Sequence, residues 1–316
     1  MRTRVLGASG IEVGEIGLGC MPMSWAYAGQ GSDGESIEVI DRALDLGVTL
    51  LDTSDVYGPF TNEELIGRAL VGRRDRAVIA TKTGLVVGVD GGYPLRNDAR
   101  PAHIRDTVEG SLRRLRTDVI DLYQLHRIDP DVPLEESWGA MAELVVAGKV
   151  RALGMSEANA DELGRAHAIH PVATVQSECS LWFRERLDDV IPWCADNGVG
   201  FIPFAPLGRG FLTGSITRAT SDPGDFRSSL PRFRQDAIDA NLAIVGRVEA
   251  VAGRHGATPG QIALAWTLAQ GAQIVPIPGT RRVAHLEENA AAGEIRLETR
   301  DLDELRDLPD VTGTRY

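Results

Sequence analysis

What most constrains the fold of this chain is an alternation kept up along its length: short β-branched and apolar runs separated by segments of helical periodicity. The runs stand at 48–52 (V-T-L-L-D), 77–81 (A-V-I-A-T), 119–125 (V-I-D-L-Y-Q-L), 150–155 (V-R-A-L-G-M), 173–177 (A-T-V-Q-S), 200–204 (G-F-I-P-F) and 274–277 (I-V-P-I). An earlier one, Ile16 to Leu18, follows a hairpin predicted over 3–14. Near-continuous apolarity suits strands covered on both faces, as in a parallel sheet. Between the runs, Ile104, Val108, Leu112 and Leu115 keep a helical period behind Pro101, a good first-turn residue. Thr61 with Glu64, and Asn159 with Glu162, read as N-caps with capping boxes, and Thr258-Pro259-Gly260-Gln261 opens a helix through Trp266. Eight such units predict an α/β fold, a single (β/α)8 TIM barrel over residues 1–316 with an N-terminal hairpin.

A doubly wound dinucleotide fold would want G-x-G-x-x-G directly after an early strand, and the motif is absent. The glycines at 7, 10, 14, 17 and 19 read instead as hairpin turns. Two connections, 83–100 and 206–235, exceed the usual length and predict functional loops.

Charge narrows the partners. With 33 Lys and Arg against 45 Asp and Glu, the formal charge is −12. That argues against nucleic acid and anionic membrane, which need clustered basic residues. No apolar run approaches the ~20 residues of a membrane span, and no signal-type stretch follows Met1. Three scattered cysteines, Cys20, Cys179 and Cys194, fit neither a disulfide framework nor a zinc site. A cytoplasmic enzyme acting on a small molecule is the expected class, self-association being compatible with it.

In such a barrel the chemistry sits where strands end at the C-terminal face. The second strand runs out into Asp52-Thr53-Ser54-Asp55-Val56-Tyr57, the third into Lys82 and the fourth into His126. Successive strands thus deliver a carboxylate, a phenol, an amine and an imidazole to one rim. An ammonium beside a phenol lowers the phenol's pKa from ~10, and a buried ammonium needs a counter-charge, which Asp52 can supply. A histidine can orient a substrate oxygen by a hydrogen bond. Together they suit proton donation to an oxygen on which negative charge develops, as carbonyl reduction requires. Taken singly, Asp52 could be a cap, Tyr57 a packed aromatic, Lys82 a snorkelling lysine and His126 a satisfied rim histidine; their joint placement carries the functional reading.

The chain resembles the aldo-keto reductase superfamily. The resemblance rests on D-T-S-D-V-Y-G (52–58), A-T-K (80–82), D-L-Y-Q-L-H (121–126), the G-M-S-E and V-Q-S-E strand ends, P-L-G-R-G-F-L-T-G (206–214) and I-P-G-T-R-R (277–282). The nearest branch includes pyridoxal-reductase-like and aryl-alcohol-dehydrogenase-like enzymes and the potassium-channel beta subunits. The resemblance implies NADPH (NADP+ after turnover) lying across the rim. Ser156 and Gln176 would bond the carboxamide and Phe204 would stack on the nicotinamide. Leu207, Gly208 and Gly210 would follow the pyrophosphate with Arg209 nearby. Gly279, Thr280 and Arg281 would meet the 2′-phosphate, and Glu288 and Asn289 the adenine. His285 stands where many relatives keep a phosphate-reading arginine, and Glu157 where many keep an asparagine. Independently, Arg281-Arg282 stand where the last helix opens, a place that favours phosphate.

Trp25, Tyr27, the 83–100 loop and Trp182-Phe183 remain to shape the substrate site. His167 and His170 read as a solvated helix end, Tyr123 as core and Cys179 as buried. Two alternatives stand beside the reductase: a cofactor-binding regulatory subunit with little turnover, and a phosphate-binding isomerase or lyase on a similar barrel.

Overall fold

The computed structural model of the chain describes residues 1–27, 31–88 and 95–316. Seven parallel strands follow one another around the barrel: Leu18–Gly19, Leu50–Asp52, Val78–Thr83, Ile120–Leu125, Val150–Ser156, Thr174–Glu178 and Gly200–Phe204. The eighth unit closes the ring as an extended segment with isolated bridges, Phe201 to Ile274 and Gly19 to Gly279. Its sequence explains why no full ladder forms. Pro276 and Pro278 have no N–H to give. Their carbonyls accept from Gly17 and Gly19 at 2.9 and 3.3 Å, while Val275 and Ile277 donate the other way, to Phe201 and Pro203. Gly17 and Gly19 therefore belong to this closure and not to the hairpin. A Cβ on Gly19 would lie 2.8 Å from the Ile277 carbonyl oxygen, so only glycine lets the two backbones meet.

The hairpin pairs Thr3–Val5 with Glu12–Gly14. It sends Leu6, Ile11 and Val13 into one buried cluster with Leu50, Ala80, Leu122, Ala152, Ile202, Val275 and Ile277. That cluster is the barrel interior, plugged at its base. Strand alternation carries the same face upward by two residues each time: Leu50 to Asp52, Ala80 to Lys82, Leu122 to Gln124 and His126, Ala152 to Ser156 and Ile202 to Phe204. The core layer and the rim layer are thus one inward-facing set read at two heights. The register agrees, pairing Asp52 with Ala80, Lys82 with Gln124 and Ser156 with Gln176.

Local signals mostly act as read. Asn159 and Thr258 cap Ala160–Ile169 and Pro259–Ala269 through full capping boxes, and Pro101 begins Pro101–Leu115. Thr61 does not cap. It is the first residue of Thr61–Ala69, its hydroxyl donates to Gly58 O, and Phe60 precedes it in a left-handed conformation. The 83–100 connection carries a small sheet, Leu85–Val86 against Arg96–Asn97, and its residues 89–94 lie outside those described. Arg281 and Arg282 precede Val283–Ala291, which is not the last helix: Thr299–Arg306 follows. Among the described residues, no helix is long and apolar enough to cross a membrane.

Candidate active site

Asp52, Lys82, Tyr57 and His126 come together at the C-terminal rim, all buried. Lys82 uses its three N–H donors on Asp52 Oδ1 at 2.6 Å, the Thr53 carbonyl at 2.8 Å and the Tyr57 hydroxyl at 3.5 Å. The other oxygen of Asp52 accepts from Gln176 Nε2 at 2.7 Å and Gln124 Nε2 at 3.3 Å. Asp52 is therefore held in place by an ammonium on one oxygen and two amides on the other. The edge of the His126 ring meets Tyr57, centroids 5.9 Å apart, and Trp25 leans on Tyr57 from another side at 5.7 Å.

Burial sets the proton affinities. It pushes Lys82 down, but Asp52 and Tyr57 together overcome it and hold the ammonium above its ordinary value. For Tyr57, burial is the larger influence and raises the phenol, with Lys82 pulling against it. The net direction is the reverse of the one expected from the lysine alone. The reason is the apolar wall of Val56, Leu85, Met21, Trp25, Val87 and Leu95 packed with the phenol. Burial, then Lys82 and Arg127, push His126 well below its usual range, so it is neutral at physiological pH.

The residues implied for the cofactor form an arc from the fifth strand onward. Ser156 is buried and its hydroxyl accepts from Arg127 Nη1 at 3.0 Å. Gln176 is committed to Asp52 through its amide nitrogen. Phe204 is half-buried, with the Arg315 guanidinium 5.6 Å from its ring centre. Leu207 opens the turn that carries Gly208, Arg209 and Gly210 through φ of 57°, 56° and 93°. A Cβ on Gly208 would strike the Trp182 ring at 2.6 Å. Gly279 bridges to Gly19; Thr280 accepts from Arg282 N–H at 3.1 Å; Arg281 is within electrostatic reach of Glu35 and Asp225. His285 is exposed on the following helix, Asn289 is buried, and Glu288 accepts from the Thr258 hydroxyl at 2.6 Å. Of the six non-glycine residues at positive φ among the described residues, five (Ala26, Phe60, Glu157, Ala205 and Arg209) lie in rim loops, the usual place for stored backbone strain.

Several rim residues escape sequence reasoning. Gln124 shares the inward face with His126, and the two-residue spacing between them is its signal in the sequence. Ser215, Thr217, Arg218, Thr220 and Arg227, with Ile216 and Phe233, line a cavity of about 210 Å³ beside Gly210, the Arg227 guanidinium being paired with Asp225. Arg315 is the least foreseeable: it lies between Glu157 and Glu178, 2.7 Å from the latter, against Phe183. Glu157 thus serves as an ion-pair partner. Trp182 stacks on Phe211 at 4.2 Å and is buried, as is Phe183, so this pair supports the rim instead of lining it. Tyr27 turns to Arg227, 5.1 Å from its ring centre, and Trp25 alone of the four aromatics stands against Tyr57. His167 accepts from Val172 N–H, Tyr123 is core, and burial lifts the Cys179 thiol to about 12.

Known proteins resemble this chain over most of its length. The sequence pattern of the Aldo/keto reductase family matches residues 15–310. Probable aldo-keto reductase 1 of Glycine max is 41% identical over 98% of this chain and 90% of its own length. Among solved structures, the glycerol dehydrogenase AKR11B4 of Gluconobacter oxydans superposes with a TM-score of 0.87 at 31% identity, over 96% of this chain and 94% of that one. An aldo/keto reductase of Klebsiella pneumoniae, solved in complex with NADP and acetate, gives 0.74 at 28% identity over 100% and 99%.

Proposed function

Because the chain belongs to the aldo/keto reductase family, a family of NAD(P)H-dependent oxidoreductases, we propose that it reduces aldehydes or ketones to alcohols with NADPH, Tyr57 supplying the proton. The observation that carries the reading is the Tyr57–Lys82–Asp52 chain beside a neutral His126. Tyr57 stays protonated at neutral pH, as a general acid must. Lys82 lies where it can stabilise the phenolate left after the proton departs. Asp52, gripped by Gln176 and Gln124, keeps Lys82 charged and stationary. His126 orients the carbonyl oxygen toward the phenol. Trp25, Leu85 and Val56 exclude water and offer an apolar face to the substrate.

NADP(H) fits the residues present. Phe204 offers a half-open aromatic face, and Arg218 with the hydroxyls of Ser215, Thr217 and Thr220 in the cavity beside Gly210 would take the pyrophosphate. Thr280 and Arg281 stand where a helix begins and would take the 2′-phosphate. The bound cofactor supplies the hydride. The proposed substrate is a small carbonyl compound, and a cytoplasmic location is part of the same reading. The test is NADPH absorbance across a panel of aldehydes and ketones, wild type against Tyr57→Phe: turnover of some member by wild type, and a few per cent of it or less by the variant, is expected. A wild type that binds NADPH but turns over no carbonyl would favour a binding subunit.

A further inference from the structure

Ser54 lies between Asp52 and Tyr57, fully buried, and its side chain has no place in the mechanism above. Its Oγ stands 3.2 Å from His126 Nδ1 and 3.1 Å from Asp55 Oδ1, so one hydroxyl joins the imidazole to a buried carboxyl. A hydroxyl has a single proton to donate, and a neutral imidazole carries one N–H. The direction of the Ser54 proton therefore decides which ring nitrogen is protonated. If Ser54 donates to Asp55, its Oγ can only accept from the ring; Nδ1 then holds the hydrogen and Nε2 is a bare lone pair. If Ser54 donates to Nδ1, Asp55 must be the acid that donates to Ser54, and Nε2 carries the hydrogen. Among the described residues no hydrogen bond takes up Nε2. It is the nitrogen turned away from Ser54, and only the second arrangement lets it donate to a substrate oxygen.

We infer that Ser54 and Asp55 are positioning residues that set the tautomer of His126: Asp55 as a carboxylic acid donates to Ser54, Ser54 donates to Nδ1, and Nε2–H is left for the carbonyl. The inference rests on the proposed reading of His126 as the group that orients that oxygen.

The surroundings keep Asp55 an acid. Among the described residues it has no ion-pair partner. Burial first, then the Glu63 carboxylate on the neighbouring helix, push it up to about 8, with Ser54, the more distant Arg114 and the Val56 backbone N–H pulling the other way. Glu63 is itself committed to Arg114 at 2.7 Å and to the Thr81 hydroxyl at 2.6 Å. Tyr123, buried on the fourth strand, remains a neutral phenol. On the other side, Lys82 and Arg127 face His126 and, with burial, keep it neutral. The relay thus has one titrating member near neutrality. Above about 8, Asp55 ionises, Ser54 turns to it, and the hydrogen moves from Nε2 to Nδ1.

The test reads the tautomer directly, by long-range proton–nitrogen NMR correlation on histidine-labelled full-length protein. The chain has 6 histidines, and His126→Gln assigns the signal. Wild type is expected to hold Nε2–H at pH ~7 and to convert to Nδ1–H with a midpoint near 8. Asp55→Asn should hold Nε2–H throughout, because its amide donates to Ser54 at every pH; Ser54→Ala should abolish the pH response. The alkaline fall in kcat/KM, about 10²-fold for one donor lost from a developing oxyanion, should vanish in Asp55→Asn. Unmoved signals from the other histidines report that each variant is folded. An Nδ1–H ring at pH ~7, or a conversion that persists in Asp55→Asn, overturns the inference. A correct tautomer without any carbonyl turnover overturns the proposed function and leaves the relay standing.

Discussion

The pair formed by Lys82 and Asp52 allows a quantitative test of how the rim is held. The two charges lie 2.6 Å apart with side chains 0% and 5% exposed, so neither has water to fall back on. Lys82→Met leaves the Asp52 carboxylate with two amide donors but no counter-charge. Asp52→Asn leaves the ammonium with only the Thr53 carbonyl and the Tyr57 hydroxyl, and turns an amide toward those of Gln124 and Gln176. Each single variant strands one buried charge and should cost about 3–5 kcal/mol. The double variant strands neither, so it should be more stable than the two single losses sum to, by about 3 kcal/mol. Urea unfolding followed by tryptophan fluorescence measures all four corners of this cycle, the stability read from the midpoint at unchanged slope. Losses that add to within about 0.5 kcal/mol would refute the argument: Lys82 and Asp52 would then be independent neighbours. The double variant should be as inactive as Lys82→Met, which separates the stability of the site from its chemistry.

Tyr57→Phe should reduce kcat to a few per cent or less with NADPH affinity nearly unchanged, by single-turnover and fluorescence-titration measurements, because the phenol acts on the substrate oxygen. Arg281→Ala should narrow the preference for NADPH over NADH by about tenfold, the scale of one charge-assisted contact, in paired dissociation constants. Asp55 gives a pH prediction whose sign follows from its raised proton affinity. From about 4 to about 8 the folded state binds more protons at Asp55 than the unfolded chain does, so the stability Asp55 contributes is present in acid and lost as pH rises through that window. Urea midpoints at pH 5, 7 and 9 should rise for Asp55→Asn relative to wild type, most at pH 9.

The barrel, its hairpin and the meeting of Asp52, Tyr57, Lys82 and His126 at one rim were legible because they obey short-range rules. Two-residue alternation puts Asp52, Lys82 and His126 above Leu50, Ala80 and Leu122, and apolar runs mark where each strand ends. What escaped reading depends on contacts distant in sequence. Arg315 meets Glu157 and Glu178 across more than a hundred residues, and no local pattern announces it. The rise in the Tyr57 proton affinity comes from Met21, Leu85 and Leu95, which converge only after folding. The apolar run at 274–277 marks the eighth strand's position, and its prolines imply that it cannot form a full ladder.

Residues 2–8 form bonds with partners made much later in synthesis. Ala8 N–H donates to Gly198, the Arg4 guanidinium to the carbonyls of Gly271 and Ile274, and Arg2 to Gly293. These bonds brace the same stretch of wall that the prolines leave joined to the first strand only by bonds donated from Gly17 and Gly19. While the nascent chain emerges, the hairpin has only its earlier-made partners, Thr49 and Gly198, and the half-built ring keeps an open edge on each side. The ring can lock only once the 271–293 stretch has left the ribosome, so folding here is completed by a late, long-range closure and not by growth from one end.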